Sequence, residues 1–290
     1  MTRRNALLIA FAVLLIIGGQ FYIALPSCTQ RVNVCFGMTG GLQAPYRYRL
    51  LSLAFEPDVS AHPTITQLMV SSIAVHSVCA ILTCIGLFVW LKRVSTPERA
   101  LMGLFILVGD WLLAYWLYQR DTAIAIELTL ITWALVLIDG HLLPLVALTA
   151  LATLNRETGV FIPLIYAAYH FDHWRKRRYR INVGVLLMTF AAVFVAIHWV
   201  MGSAEHVLGI GGTLAYNLDN LRDGILINLI LLPLWFIGIF AYNTLPDRYR
   251  RLLWVAALML AAIVIGAAWG EAARLVLVAM PLVLPAIIRS

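Results

Sequence analysis

Ten apolar runs follow one another along this chain, at 6–25, 67–91, 100–118, 122–138, 142–154, 159–169, 181–201, 225–242, 252–269 and 275–288, and the longest link between them is 26–66. A segment inside a bilayer has to satisfy every backbone N–H and C=O within the protein, which favours the α-helix. About 20 residues at 1.5 Å per residue cover the hydrocarbon thickness. Composition points the same way: 62% of residues are hydrophobic and 12% charged, where a soluble domain carries about 25% charged residues. No polar stretch is long enough to hide a soluble domain. The sequence therefore predicts an all-α, polytopic integral membrane helical bundle of about ten membrane segments, forming a single membrane domain over 1–290.

Charge orients the bundle. The formal net charge is +7, and the basic residues gather in short loops beside apolar runs, at 92–99, 170–180 and 243–251. The outer loops, 26–66 and 202–224, and the shorter outer links carry Glu56, Asp58, Asp121, Glu205, Asp219, Asp223 and Glu271. This is the positive-inside pattern, and it puts the basic loops and both termini in the cytoplasm. The same distribution argues against nucleic acid as a partner. Arg3 and Arg4 precede a run longer than the 7–15 residues of a signal-peptide core, so 6–25 reads as a retained first span, with a cleavable signal as the alternative. No internal repeat supports an inverted-repeat transporter.

The runs at 142–154 and 159–169 are each too short to cross a bilayer comfortably, and Asn155, Arg156, Glu157 and Thr158 stand between them. Two short arms meeting at a polar apex predict a helical hairpin over 142–169. Membrane-embedded charges mark function by default. The competing structural reading is a local Arg156–Glu157 interaction, or a headgroup contact, that merely ends two helices.

Other polar clusters fall on the predicted outer side: Glu56-Pro57-Asp58, with Arg47 and Arg49 just upstream, and Glu271 with Arg274 at the start of the last run. A carboxylate there can deprotonate an acceptor hydroxyl or hold a divalent cation beside a phosphate. Arginine offers a fixed fork of donors to a phosphate. Each cluster also has a plain alternative. Glu56 and Asp58 suit a solvated loop, Arg47 and Arg49 suit snorkelling to headgroups, and Glu271 and Arg274 suit a helical ion pair three residues apart. Asp110 and Glu127 lie in or near predicted helices, where an acid can be hydrogen-bonded or can move protons. His76 and His198 read as core histidines. Tyr46, Tyr48, Trp111, Tyr115, Trp116 and Tyr118 suit an interfacial belt. Cys28 and Cys35 fall in the first outer loop, where a disulfide is an open alternative. Cys79 and Cys84 read as packing residues, and no Cys/His spacing matches a structural zinc site.

In three features the chain resembles the GT-C superfamily of membrane glycosyltransferases. They are the acidic motif Glu56-Pro57-Asp58, the arm–turn–arm segment LATLNRETGVFIPLIYAAYHFDHWRKRR, and the late Glu-x-x-Arg of GEAARLVLVAMPLVLP. The resemblance implies transfer of a sugar from a polyprenyl-phosphate donor to an extracytoplasmic glycan or lipid acceptor, in a bacterial inner or plasma membrane. It implies Glu56 or Asp58 as the catalytic acidic site and as the ligands of any divalent cation. It implies Arg156 as the lipid-phosphate contact. Arg47, Arg49, Glu157, Glu271 and Arg274 complete the candidate substrate-binding set. The chain departs from the family in its length, its small first loop and its lack of an extracytoplasmic C-terminal domain. Two rival functions are a transporter or flippase working past Asp110, and a non-catalytic membrane subunit or scaffold.

Overall fold

A computed structural model describes the backbone of residues 2–30, 50–53, 65–117, 122–202, 210–220, 237–266 and 269–289. Among these residues the fold is all-helical, with no strand. The helices are α1 (Arg3–Gln30), the single turn α2 (Leu50–Leu53), α3 (Ile65–Leu91), α4 (Pro97–Leu117), α5 (Thr122–Leu137), α6 (Leu142–Asn155), α7 (Phe161–Tyr169), α8 (Arg177–Met201), α9 (Ile210–Asp219), α10 (Asp247–Gly266) and α11 (Trp269–Ile287). α3 packs against α1, α4 and α5, while α11 packs against α4, α5 and α10. The fully buried centre holds Trp90, Leu104, Leu107, Trp111, Leu128 and Ile131 from α3, α4 and α5.

Many helix ends meet on one face, and the same physical problem recurs there. The last carbonyls of a helix have no intrahelical donor, and a basic side chain can supply one while complementing the negative end of the helix dipole. Arg93 donates through Nη1 to Leu135 O at 3.4 Å and through Nη2 to Val136 O, closing α5. Arg99 donates to Ile288 O at 3.3 Å, closing α11. Arg251 donates through Nε to Ala168 O at 2.8 Å, closing α7, and grips Asp172 with both terminal nitrogens at 2.9 and 2.6 Å. Trp90, Tyr169 and Tyr249 form an aromatic cluster under this face, with Arg248 over both tyrosine rings.

α11 contains Pro281 and Pro285. Pro285 has no N–H, so the carbonyl of Pro281, four residues earlier, lacks its helical donor. Trp90 Nε1 fills that vacancy from α3 at 3.1 Å.

Several expectations need correction. Among the described residues, two helices are long and apolar enough to cross a membrane, Ile73–Leu91 and Arg177–Met201, against about ten segments expected. α5 and α6, at 16 and 14 residues, fall short of a full span. α10 opens with Asp247-Arg248-Tyr249-Arg250-Arg251, which shortens its apolar part. α1 continues to Gln30, so Cys28 stands on a helix rather than in the outer loop. A proline removes one backbone donor without having to end the helix at that point. The expected outer loop 202–224 contains α9, which packs against α10 despite its Gly211 and Gly212. Cys79 and Cys84 are buried free thiols, as expected of packing residues.

Trp90→Phe is expected to lower stability by about 1–3 kcal/mol, because it strands a buried carbonyl. In a Pro285→Ala background, which restores the helical donor, the same change is expected to cost clearly less. Thermal unfolding of the four proteins in one detergent measures the difference.

Candidate functional site

The hairpin forms, and its two arms start and finish at one place. α6 runs 14 residues from Leu142 to Asn155, a 3-10 turn covers Glu157–Val160, and α7 runs back from Phe161 to Tyr169. Tyr169 Oη donates to Asp139 Oδ2 at 3.1 Å, and the His170 ring bonds Ile138 O at 2.9 Å. Both contacts fall on the turn that precedes α6, so the arms share one foot. Along α6, Thr149 and Thr153 bond back to the carbonyls of Leu145 and Thr149, which keeps their hydroxyls satisfied inside the bundle.

The helix breaks at Arg156, whose backbone is extended at φ −159° and ψ 156°. Gly159 lets the returning chain press onto α6. A Cβ there would lie 2.6 Å from Thr153 N and 2.8 Å from Ala152 C, which are backbone atoms that cannot swing aside. Gly159→Ala is therefore expected to destabilise the protein by about 1–3 kcal/mol. Gly184→Ala in α8, where a Cβ meets nothing within 4 Å, is expected to be neutral or slightly stabilising. Unfolding midpoints of the two variants provide the comparison.

At the apex, two consecutive polar residues reach across to α5. Asn155 Nδ2 donates to Ala123 O at 2.7 Å. Arg156 Nε lies 3.5 Å from Glu127 Oε2. Glu127 is 1% exposed and Arg156 7%. Asn155 Oδ1 and Thr158 Oγ1 are buried with no hydrogen-bond partner among the described residues. Arg156 thus has a longer-range partner on α5. Antiparallel packing of α5 and α6 brings Glu127 to the apex.

A buried ion pair is a poor net stabiliser, but removing one partner leaves an uncompensated charge in a dry interior. Glu127→Leu or Arg156→Met alone is expected to cost about 3–5 kcal/mol. The double variant is expected to recover most of that loss. A double-mutant cycle on unfolding free energy tests this.

The other candidates stand as follows. Arg47, Arg49, Glu56 and Asp58 lie outside the described residues, as do Cys35, Tyr46 and Tyr48. Glu271 and Arg274 stand on the first turns of the α11 backbone, and their side chains lie outside the described atoms. Glu157 is half-buried beside the apex. α2 packs against α5 and α6, and its Leu50 shares Ile197 as a packing partner with Leu154, next to the apex. In sequence, Glu56 follows Leu53 by three residues. Asp110 is buried in α4, and its Oδ2 has no hydrogen-bond partner among the described residues. No group of three potential metal-ligating side chains occurs among the described residues.

The partnership of Glu127 with Arg156 escaped the sequence reading, which noted Glu127 only as an intramembrane acid. A signal was present: an acid within one apolar run and a base just past the end of the next stand at comparable distances on either side of a tight turn. In comparisons with known proteins, no family model matches this chain, and no curated protein and no solved structure matches it either.

Proposed function

We propose that this protein is a helical membrane glycosyltransferase, whose hairpin apex recognises the phosphate of a polyprenyl-phosphate-linked sugar. In this reading the basic face lies in the cytoplasm of a bacterial inner or plasma membrane, and the apex faces the opposite side. The observation that carries the proposal is Arg156, a buried guanidinium held at a helix break with Glu127 against its Nε. An arginine oriented by a buried carboxylate presents a planar set of donors suited to phosphate oxygens. Asn155 Oδ1 and Thr158 Oγ1 add polar capacity beside it.

Glu56 or Asp58 would act as the base that deprotonates the acceptor hydroxyl, or would hold a divalent cation. The packing of α2 near the apex supports their assignment to the same site. Arg47, Arg49, Glu157, Glu271 and Arg274 would complete the contacts to the lipid-linked donor and the glycan or lipid acceptor. The catalytic requirement is close positioning of all these groups.

A second reading, transport or flipping of a polar or lipid-linked substrate, is favoured by Asp110. A carboxyl buried in an apolar helix, with one oxygen lacking a hydrogen-bond partner among the described residues, suits a proton or substrate relay.

Transfer from radiolabelled polyprenyl-phosphate sugars by purified membranes, at matched protein abundance, separates the readings. Arg156→Lys keeps the charge but loses the fork, and is expected to lower transfer about 100-fold or more. Asp58→Ala or Glu56→Ala is expected to abolish it, and Asp110→Asn to leave it intact. Wild-type membranes inactive across a broad donor panel, with substrate movement lost in Asp110→Asn, would replace the transferase with the transporter.

A further inference from the structure

Between α7 and α8 the chain makes a short exposed crossing on the basic face. A 3-10 turn covers Phe171–His173, and α8 starts at Arg177. Arg175, Lys176, Arg177, Arg178 and Arg180 are all exposed, and no acid stands in the first turn of α8 to offset them. The acid of the crossing, Asp172, is already occupied by the two-pronged grip of Arg251. Those hydrogen bonds hold its carboxyl below the usual range, so it stays ionised and committed to Arg251. The patch therefore presents cations without a local counter-charge.

Two further features accompany the charge. Phe171 and Trp174 are 51% and 50% exposed, and Arg175 lies over the Trp174 ring at 5.0 Å. Cations interleaved with exposed aromatic rings suit the headgroup layer, where the ring sits at the boundary and the charge meets phosphate. The patch leads directly into α8, one of the two helices long and apolar enough to cross a membrane. The outward surface of α8 carries Val185, Met188, Val195 and Trp199.

We infer that the crossing at 171–180 is a docking surface for anionic phospholipid headgroups, clamped to the membrane through Arg175, Lys176, Arg177, Arg178 and Arg180 and anchored by Trp174. Clusters of basic residues at the membrane end of a spanning helix attract acidic lipids, each charge strengthening binding about fivefold. The inference rests on the membrane part of the proposed function and is independent of glycosyl transfer.

The test reconstitutes the full chain in nanodiscs of phosphatidylcholine alone and of phosphatidylcholine mixed with phosphatidylglycerol. Native mass spectrometry then reads the lipids retained on release. Wild type is expected to keep phosphatidylglycerol preferentially, in a salt-sensitive way. The variant with all five basic residues changed to Gln is expected to lose at least tenfold of that preference. A second variant, with the four arginines changed to Lys, keeps the charge and is expected to retain the preference, which guards against misfolding of the first. Equal retention of both lipids by wild type, or an unchanged preference in the Gln variant, would overturn the inference. So would displacement of phosphatidylglycerol by a short RNA that binds the same residues more tightly. Failure of the wild type to enter nanodiscs of either composition would instead overturn the membrane reading beneath it.

Discussion

Backbone carbonyls that water cannot reach must find donors within the protein, and this requirement shapes the basic face more than any other interaction. Arg93, Arg99 and Arg251 each close the end of a different helix. Trp90 serves the carbonyl orphaned by Pro285. These contacts tie α3, α4, α5, α7, α10 and α11 together at one end. Apolar packing alone is non-directional, whereas the donors fix which helix ends meet and at what height.

At the other end of the hairpin the logic reverses. The apex has an extended residue, a tight glycine and two polar side chains aimed at α5. The energy that holds Arg156 in place is largely the penalty for leaving it or Glu127 alone. An arrangement of that kind favours position over stability. The foot, bonded at Ile138 and Asp139, provides the rigid base that such a site needs.

Much of this was legible in the sequence. The two arms were readable at 142–154 and 159–169 because a polar quartet interrupts an apolar run, and α6 and α7 fall within two residues of those limits. The basic loops were readable because their charges are dense and local. The partner of Arg156 was not, because Glu127 becomes its neighbour only through the register of α5 against α6. The helical course of Cys28 was hidden by Pro26, and α9 by its paired glycines. Register between two helices is a local property of neither, and proline and glycine lower helix propensity without forbidding a helix.

The separations in sequence of these contacts also carry a history of assembly. The foot joins residues 32 and 30 apart, and the apex bond from Asn155 also spans 32. All lie within one stretch of chain, so the loop-closure entropy is modest and the unit can form early. The bonds from Trp90 to Pro281 and from Arg99 to Ile288 span 191 and 189 residues. They require α11 to be in place, whereas the end of α3 already meets α5 through Arg93 and α7 through Trp90. The hairpin is thus the portion of the molecule able to organise first, and the C-terminal helix is the piece that locks a structure already waiting for it.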